Sequence, residues 1–187
     1  MRIAPFAIAF CVAAMSGCGG PKTGQGNNAQ ASATDTRDEN QAAASNLQAH
    51  VAAGDIPKVM HARHEGMETI GKNNKVLVRE LQGTSPDVAT VRAAAATITK
   101  LALEASAWFP EGTGPESGKT GAKPDIWKPE NKADFAVKLH DFQIAAPAFA
   151  NSTAGTDVNA MKARFKTLSG TCKACHDKYR SEMHHAS

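Results

Sequence analysis

From residue 55 onward, apolar residues recur along the chain at intervals of three and four, which is the period of a helix with one buried face. The pattern divides into four stretches, and none sustains the alternation of apolar and polar residues that indicates a strand. We therefore predict four helices and no sheet. The first should begin at Asp-Ile-Pro, residues 55–57, where a capping residue precedes a proline, and end at Gly83. The second should begin at a similar signal, Ser-Pro-Asp, residues 85–87.

The two remaining helices follow a stretch rich in glycine and proline, residues 110–127, which we expect to be irregular. The third helix carries regularly spaced phenylalanines, and Pro147 is expected to kink its last turns. The fourth helix should be capped by Thr156 or Asp157. Helices joined by short turns pack antiparallel, so the predicted fold class is all-α: an antiparallel up-down-up-down four-helix bundle spanning residues 55–187. Another packing of the same four helices is the alternative.

The chain begins with a pattern typical of an exported protein. Arg2 precedes an apolar run from residue 3 to residue 15, which is shorter than the roughly 20 residues of a membrane-spanning helix. The run ends in Met-Ser-Gly ahead of Cys18, which resembles the cleavage site of a bacterial lipoprotein. We therefore predict a lipoprotein signal peptide at residues 1–17 and a lipid on Cys18. Ordinary signal cleavage near Ala13-Ala14, with Cys18 left as a spare thiol, is the alternative.

Residues 18–54 have the composition of a disordered tether that follows the lipidated cysteine. They are rich in Gly, Gln, Asn, Ala, Ser and Thr and contain hardly any large apolar residue, so they cannot bury a core. Together with the predicted lipid, this segment would hold a periplasmic domain near a bacterial membrane without inserting it. The lipid anchor is the only membrane contact that the sequence predicts.

The strongest chemical signal lies near the C-terminus, where two residues separate Cys172 from Cys175 and His176 follows directly. This spacing is the attachment signature of covalent c-type haem. A redox disulfide or a zinc site is the alternative, because the predicted export places the chain in an oxidising compartment. Both cysteines continue the apolar face of the fourth helix. We therefore expect one covalent haem c inside the bundle near its C-terminus, with the imidazole of His176 as the proximal iron ligand.

For the ligand on the opposite side of the iron, the sequence offers two candidate residues. In an antiparallel bundle the end of the fourth helix lies beside the start of the first, and the level of His176 falls between Met60 and Met67. Each methionine carries a thioether that could bind iron, but either could instead fill the core. Spacing alone does not choose between them. His61 and His64 fall beside the apolar face, so we expect them at the surface rather than on the iron.

Residues 55–183 resemble the class II c-type cytochromes, the cytochrome c′ family. The matching residues are Arg63-x-x-x-Met67, Pro124-x-Ile126-Trp127, Asp134-Phe135, Phe165 and Cys172-Lys173-Ala174-Cys175-His176-x-x-Tyr179-Arg180. One departure is Ser169, where the family often has glycine. The resemblance implies one covalent haem c in a four-helix bundle. It also implies that Met67 lies over the distal face of the haem, as the candidate iron ligand, and that Arg63 and Arg180 contact the haem.

Two functions follow from this resemblance. The spacing Met67-x-x-x-Gly71 is similar to that of low-spin members, in which the methionine closes the sixth iron position and the protein carries electrons. High-spin members leave that position open and bind nitric oxide or carbon monoxide. The predicted function is electron transfer with periplasmic redox partners, and gas binding by a five-coordinate haem is the alternative.

Other sequence features exclude several classes of function. A net charge of +3 is too small to indicate nucleic-acid binding. The sequence has no Ser/His/Asp set, phosphate-binding glycine loop or carboxylate pair at a useful spacing, so we do not expect an enzyme. Lys173 and Lys178 flank the haem motif and either steer an acidic partner or belong to a solvated helix face. The family resemblance and the alanine-rich residues 93–96 are compatible with a homodimer.

Overall fold

The structure is a computed structural model that describes residues 52–182. The predicted signal peptide, Cys18, nearly all of the predicted tether and residues 183–187 lie outside this range. The predicted division of the N-terminal region therefore stays a prediction. Within residues 52–182 no helix has both the length and the apolar character needed to cross a membrane.

Four α-helices form the described part of the chain, as predicted. α1 spans Ile56–Gln82, α2 Val88–Glu104, α3 Lys132–Ser152 and α4 Val158–Tyr179. Consecutive helices pack against each other in the order α1–α2, α2–α3 and α3–α4. This arrangement is the antiparallel four-helix bundle that the apolar spacing predicts. Pro147 lies inside α3 without ending it.

The helix starts differ in how their first N–H groups are satisfied. At α2 the carboxylate of Asp87 accepts a hydrogen bond at 3.0 Å from the N–H two residues further on. At α4 the capping residue is Asp157 rather than Thr156, and its carboxylate accepts from two N–H groups. At α1 the predicted position is right, but the carboxylate of Asp55 caps no N–H group and instead pairs with Lys58 at 2.8 Å. A proline in the first turn still favours the start of α1 there.

The core runs through the bundle, and its residues follow the predicted apolar faces. The largest fully buried apolar side chains are Phe135, Phe149, Leu77, Ile98, Met161, Leu168 and Val91. α1 and α4, by contrast, have few close contacts with each other. Met67 of α1 and Cys172 and Cys175 of α4 are only partly buried at the edge of the core. These residues, predicted to surround the haem, thus lie on two helices that pack loosely against each other.

The connection between α2 and α3 folds back over the end of α4. The N–H of Lys123 donates to the carbonyl of Tyr179, and the N–H of Ser181 donates to the carbonyl of Gly121, both at 2.9 Å. The sequence predicts only an irregular loop here, and this short antiparallel bridge is too small to form a sheet. It fixes the part of the chain that directly follows the haem motif.

Candidate haem site

Cys172 and Cys175 pack against the core from α4, and neither forms a disulfide. Burial desolvates both thiols, which raises the pKa of Cys172 and raises that of Cys175 to about 11. Redox-active cysteine pairs and zinc ligands need the opposite shift, because the thiolate is the form that reacts or binds metal. The raised pKa values thus give no support to the disulfide and zinc alternatives.

His176 follows Cys175 and lines an open cleft of about 590 Å³ at the end of α4. Lys123, Lys173 and Arg180 supply the positive charges of this cleft. The imidazole is exposed, yet partial desolvation, aided by the charge of Arg180, lowers the pKa of His176. A lower pKa keeps the imidazole neutral, which is the form that binds metal ions. The side chain is therefore suited to the proximal position on the haem iron.

Arg180 and Ser181 line the same cleft, directly after α4. The N–H of Arg180 donates to the carbonyl of His176 at 3.1 Å, so the predicted haem contact lies beside the predicted proximal ligand. The hydroxyl of Ser181 is buried and has no hydrogen-bond partner within the described chain. A buried hydroxyl without a partner is costly, and it fits a cleft that receives a further group. Sequence reasoning missed Ser181, because a serine after a helix carries no signal of its own.

Arg63 is a buried residue of α1, only 5% exposed. Its guanidinium donates to the carbonyl of Trp108 at 3.0 Å and to the hydroxyl and carbonyl of Thr113 at 3.1 and 2.7 Å. A further bond reaches the hydroxyl of Thr120 at 3.0 Å. These bonds attach the connection between α2 and α3 to the first helix.

Glu116 is a carboxylate whose negative charge acts on the guanidinium of Arg63. Burial lowers the pKa of Arg63 to about 10, and Glu116 offsets this only in part. The rings of Phe109 and Trp127 lie with their centroids 5.3 and 5.7 Å from Cζ of the guanidinium. A buried guanidinium whose burial is only partly offset by a carboxylate fits a further acidic group such as a haem carboxylate. Arg63 therefore fits the role of a haem contact.

The structure separates the two candidate methionines. Met67 is half-buried and packs against the core. Met60 is also half-buried, but its Cε approaches the connecting segment, where a Cβ atom added to Gly118 would lie 3.5 Å away. His61 and His64 are exposed, as predicted. Met67 is therefore the better placed of the two methionines for a haem between α1 and α4.

Lys173 and Lys178, predicted to flank the haem motif, both form ion pairs. Lys173 lies 2.6 Å from a carboxylate oxygen of Asp177, and Lys178 lies 3.0 Å from one of Asp134. Paired charges of both signs describe a solvated helix face better than a patch of free positive charge.

Gly66 and Trp108 are further residues of this region that sequence reasoning missed. The ring of Trp108, only 5% exposed, covers Gly66, a buried glycine one residue before Met67. The sequence does show Gly66 within a predicted helix, and an isolated glycine there can indicate a close packing contact. Its partner lies far along the chain, so the contact could not be predicted from spacing.

A haem-attachment motif in the last helix of an antiparallel four-helix bundle defines a class II c-type cytochrome. This chain belongs to the cytochrome c′ family: the family model described as Cytochrome C′ matches residues 58–180. Members of the family carry one covalent c-type haem, which is accordingly the cofactor of this protein. The predictions of family, fold class and cofactor are confirmed.

Relatives of this chain include proteins named cytochrome c′ and proteins named cytochrome c-556. The chain is 32% identical over 136 residues to cytochrome c′ of Allochromatium vinosum, covering 71% of this chain and 86% of the relative. It is 35% identical over 130 residues to cytochrome c-556 of Agrobacterium fabrum, covering 69% of this chain and 82% of the relative. A solved cytochrome c′ described as having a ligand-controlled dimer dissociation has a TM-score of 0.62 and 28% identity, covering 72% of this chain and 100% of that one.

Proposed function

We propose that this protein binds a small diatomic gas, such as nitric oxide or carbon monoxide, at a haem held between α1 and α4. The observation that carries the proposal is that α1 and α4 have few close contacts with each other, and that Met67 of α1 and the cysteine pair of α4 are only partly buried. The cytochrome c′ relatives support it, because the resemblance to this family implies that its high-spin members leave the sixth iron position open. Gas binding is the alternative function drawn from the sequence, and the comparisons favour it over electron transfer.

Five side chains would hold the haem. Cys172 and Cys175 would form the thioether bonds, and His176 would bind the iron on its proximal side. Arg63 and Arg180 would bind the haem carboxylates, since the first is a buried cation whose desolvation Glu116 offsets only in part and the second borders the cleft at His176. When bound, the haem iron supplies the coordination position at which a gas can bind.

Met67 would lie over the distal face and control access to it. A methionine side chain is unbranched and adapts to the space around it, so it can exclude large ligands and still yield to a diatomic one. The role proposed here is binding, with no enzymatic reaction.

The test is the optical spectrum of the purified, reduced protein with and without carbon monoxide. A broad high-spin spectrum that shifts when the gas is added is the expected result. A sharp low-spin α band that the gas leaves unmoved would contradict gas binding. Met67→Ala is the companion measurement, because removal of the side chain should speed the association of carbon monoxide.

Electron transfer is the second candidate function. Its support is the presence of cytochrome c-556 among the relatives, together with the placement of Met67 at the edge of the core. The thioether of Met67 would then be the sixth iron ligand, which raises the reduction potential, and periplasmic redox partners would exchange electrons with the haem. The low-spin spectrum described above would favour this function over gas binding.

We also propose that the protein is periplasmic and anchored to a bacterial membrane by a lipid on Cys18. The support is the short apolar run that ends at this cysteine. Cys18→Ser should move the protein from the membrane fraction to the soluble fraction and leave its haem content unchanged. Recovery of the unchanged protein in the soluble fraction would argue against the anchor.

A homodimer is proposed on the basis of the relative that is described as having a ligand-controlled dimer dissociation. Ala93, Ala96 and Leu103 are exposed on α2 and would permit close contact with a second copy. Sedimentation velocity of the reduced protein, with and without carbon monoxide, measures both the dimer and its response to gas. A monomer at every concentration tested would refute this part of the proposal.

A further inference from the structure

Trp108 and Gly66 form a contact that only glycine permits. Gly66 is buried in α1, and a Cβ atom added to it would lie 2.5 Å from Cζ2 of Trp108 and would overlap with Cη2. The six-membered part of the indole ring therefore rests directly on the backbone of α1. Because interiors are closely packed and Trp108 is buried, an added methyl group must displace either the ring or the helix.

A hydrogen bond joins the same two parts of the molecule. Nη1 of Arg63, one helical turn before Gly66, donates to the carbonyl of Trp108 at 3.0 Å. The N–H of Trp108 in turn donates to the carbonyl of Ala105 at 3.1 Å, in the short turn that follows α2. Trp108 thus joins the end of α2 to a single turn of α1 through both its ring and its backbone.

Met67 is the next residue in that turn of α1. We propose that Trp108 is a positioning residue: by holding the turn from Arg63 to Met67, it sets how far the side chain of Met67 reaches over the haem. This inference rests on the proposed place of Met67 over the distal face. A ligand site must be held to within about 0.5 Å, and the direction of a helical side chain follows the rotation of its backbone. Any displacement of this turn therefore displaces Met67.

Gly66→Ala is the direct test. We expect about a ten-fold change in the association rate of carbon monoxide with the reduced haem protein. If Met67 binds the iron, the low-spin band should also be lost. The double variant Gly66→Ala/Trp108→Phe should return both quantities toward their original values, because phenylalanine has no atoms in place of Cζ2 and Cη2. Gly170→Ala is the matched control, since it adds the same methyl group to an exposed helical glycine with nothing within 4 Å.

The outcomes separate a positioning role from a purely structural one. If Gly66→Ala lowers Tm but leaves the spectrum and the gas rate unchanged, the contact is only structural and the inference is wrong. If Gly66→Ala does not fold, the single variant Trp108→Phe provides the test. Loss of the ring contact with Gly66 should also change the association rate of carbon monoxide. An unchanged rate in that variant would overturn the inference.

Met67→Ala distinguishes a failure of this inference from a failure of the proposed function. If Met67→Ala changes neither the spectrum nor the gas rate, the proposed place of Met67 is wrong. If Met67→Ala has an effect and the Gly66 and Trp108 variants have none, only the positioning role of Trp108 is refuted.

Discussion

The hydroxyl group of Tyr179 donates a hydrogen bond to the carboxylate of Asp134, with 2.6 Å between Oη and Oδ2. Lys178 donates to the same oxygen at 3.0 Å, and the ring of Tyr179 packs edge-on against Phe135 with 5.1 Å between the ring centroids. Tyr179 is the last residue of α4, and Asp134 lies in the first turn of α3. The contact therefore attaches the haem-bearing helix to its neighbour about one turn beyond His176.

Tyr179→Phe keeps the buried ring and removes the hydroxyl, and with it the short bond to Asp134 and a longer contact of 3.4 Å with the carbonyl of Asn131. We expect the free energy of unfolding at neutral pH to fall by about 2 kcal/mol, the usual contribution of a hydrogen bond to a charged group. Urea unfolding followed by circular dichroism measures the difference. An unchanged unfolding midpoint would show that the bond contributes nothing to stability.

The same variant should change how stability depends on alkaline pH. Burial and the bond to Asp134 raise the pKa of Tyr179 to about 12. Because the pKa in the unfolded chain is about 10, this contribution is present below about pH 10 and is lost as the pH rises toward 12. The unchanged protein should therefore lose stability over that range relative to Tyr179→Phe. Parallel stability curves for the two proteins would contradict the prediction.

Asp134→Asn tests how the same contact contributes to stability at acidic pH. Hydrogen bonds from Tyr179 and Lys178 lower the pKa of Asp134, so its ionised form favours the folded state. This contribution is present above the unfolded pKa of about 4 and is lost as the pH falls through the lower folded value. The stability deficit of the variant should therefore shrink below about pH 4. Asp141→Asn, at an exposed position of α3, is the matched control and should leave the free energy of unfolding nearly unchanged at neutral pH.

Arg63→Lys should be strongly destabilising, although it keeps the charge. Lysine cannot reproduce the planar set of donors that serves Trp108, Thr113 and Thr120, so buried acceptors lose their partners. We expect a loss of about 3 kcal/mol in the free energy of unfolding. Arg79→Lys, at an exposed residue of the same helix, is the matched control and should cost under about 0.5 kcal/mol. Equal losses in the two variants would refute the proposed importance of the buried bonds.

The two helix-start aspartates should respond differently to truncation. Asp87→Ala removes a true cap and should cost about 1 kcal/mol in the free energy of unfolding. Asp55→Ala removes only an exposed ion pair and should cost under about 0.5 kcal/mol. A larger loss at Asp55 than at Asp87 would mean that its carboxylate caps α1 in solution.

The covalent haem should depend on both cysteines of the motif. In Cys172→Ala/Cys175→Ala the thioether bonds cannot form, so acid–acetone extraction should remove all haem from the protein. Cys18→Ser is the control and should keep the haem on the chain through the same extraction. Pigment that stays with the double variant would refute the assignment of these cysteines.

The helices and the haem motif could be predicted because their signals are local in the chain. The helical period is set by residues three and four apart, and Cys172, Cys175 and His176 lie within five consecutive positions. The start of α4 could be narrowed to two neighbouring residues, and Asp157 is the one that caps it. These features depend only on residues that are close in the chain, so they can be predicted without knowledge of distant contacts.

The contacts between α1 and the segment that follows α2 could not be predicted, because they join distant parts of the chain. Arg63 occupies a place on the apolar face, but the acceptors Thr113 and Thr120 lie in a segment that the sequence shows only as irregular. Gly66 and Trp108 meet only because α1 packs on α2. The helical period shows which residues turn inward and does not show what they meet there.

A haem held between α1 and α4, as proposed, would make haem attachment part of folding. The other three neighbouring pairs of helices pack closely, whereas α1 and α4 have few close contacts with each other. The thiols of Cys172 and Cys175 would then stay within reach until the haem is attached, and the same bonds would complete the bundle. We expect the amide hydrogens of α1 and α4 to exchange faster with solvent in the haem-free chain than in the loaded protein. A cofactor held there would be the last part of the core to form.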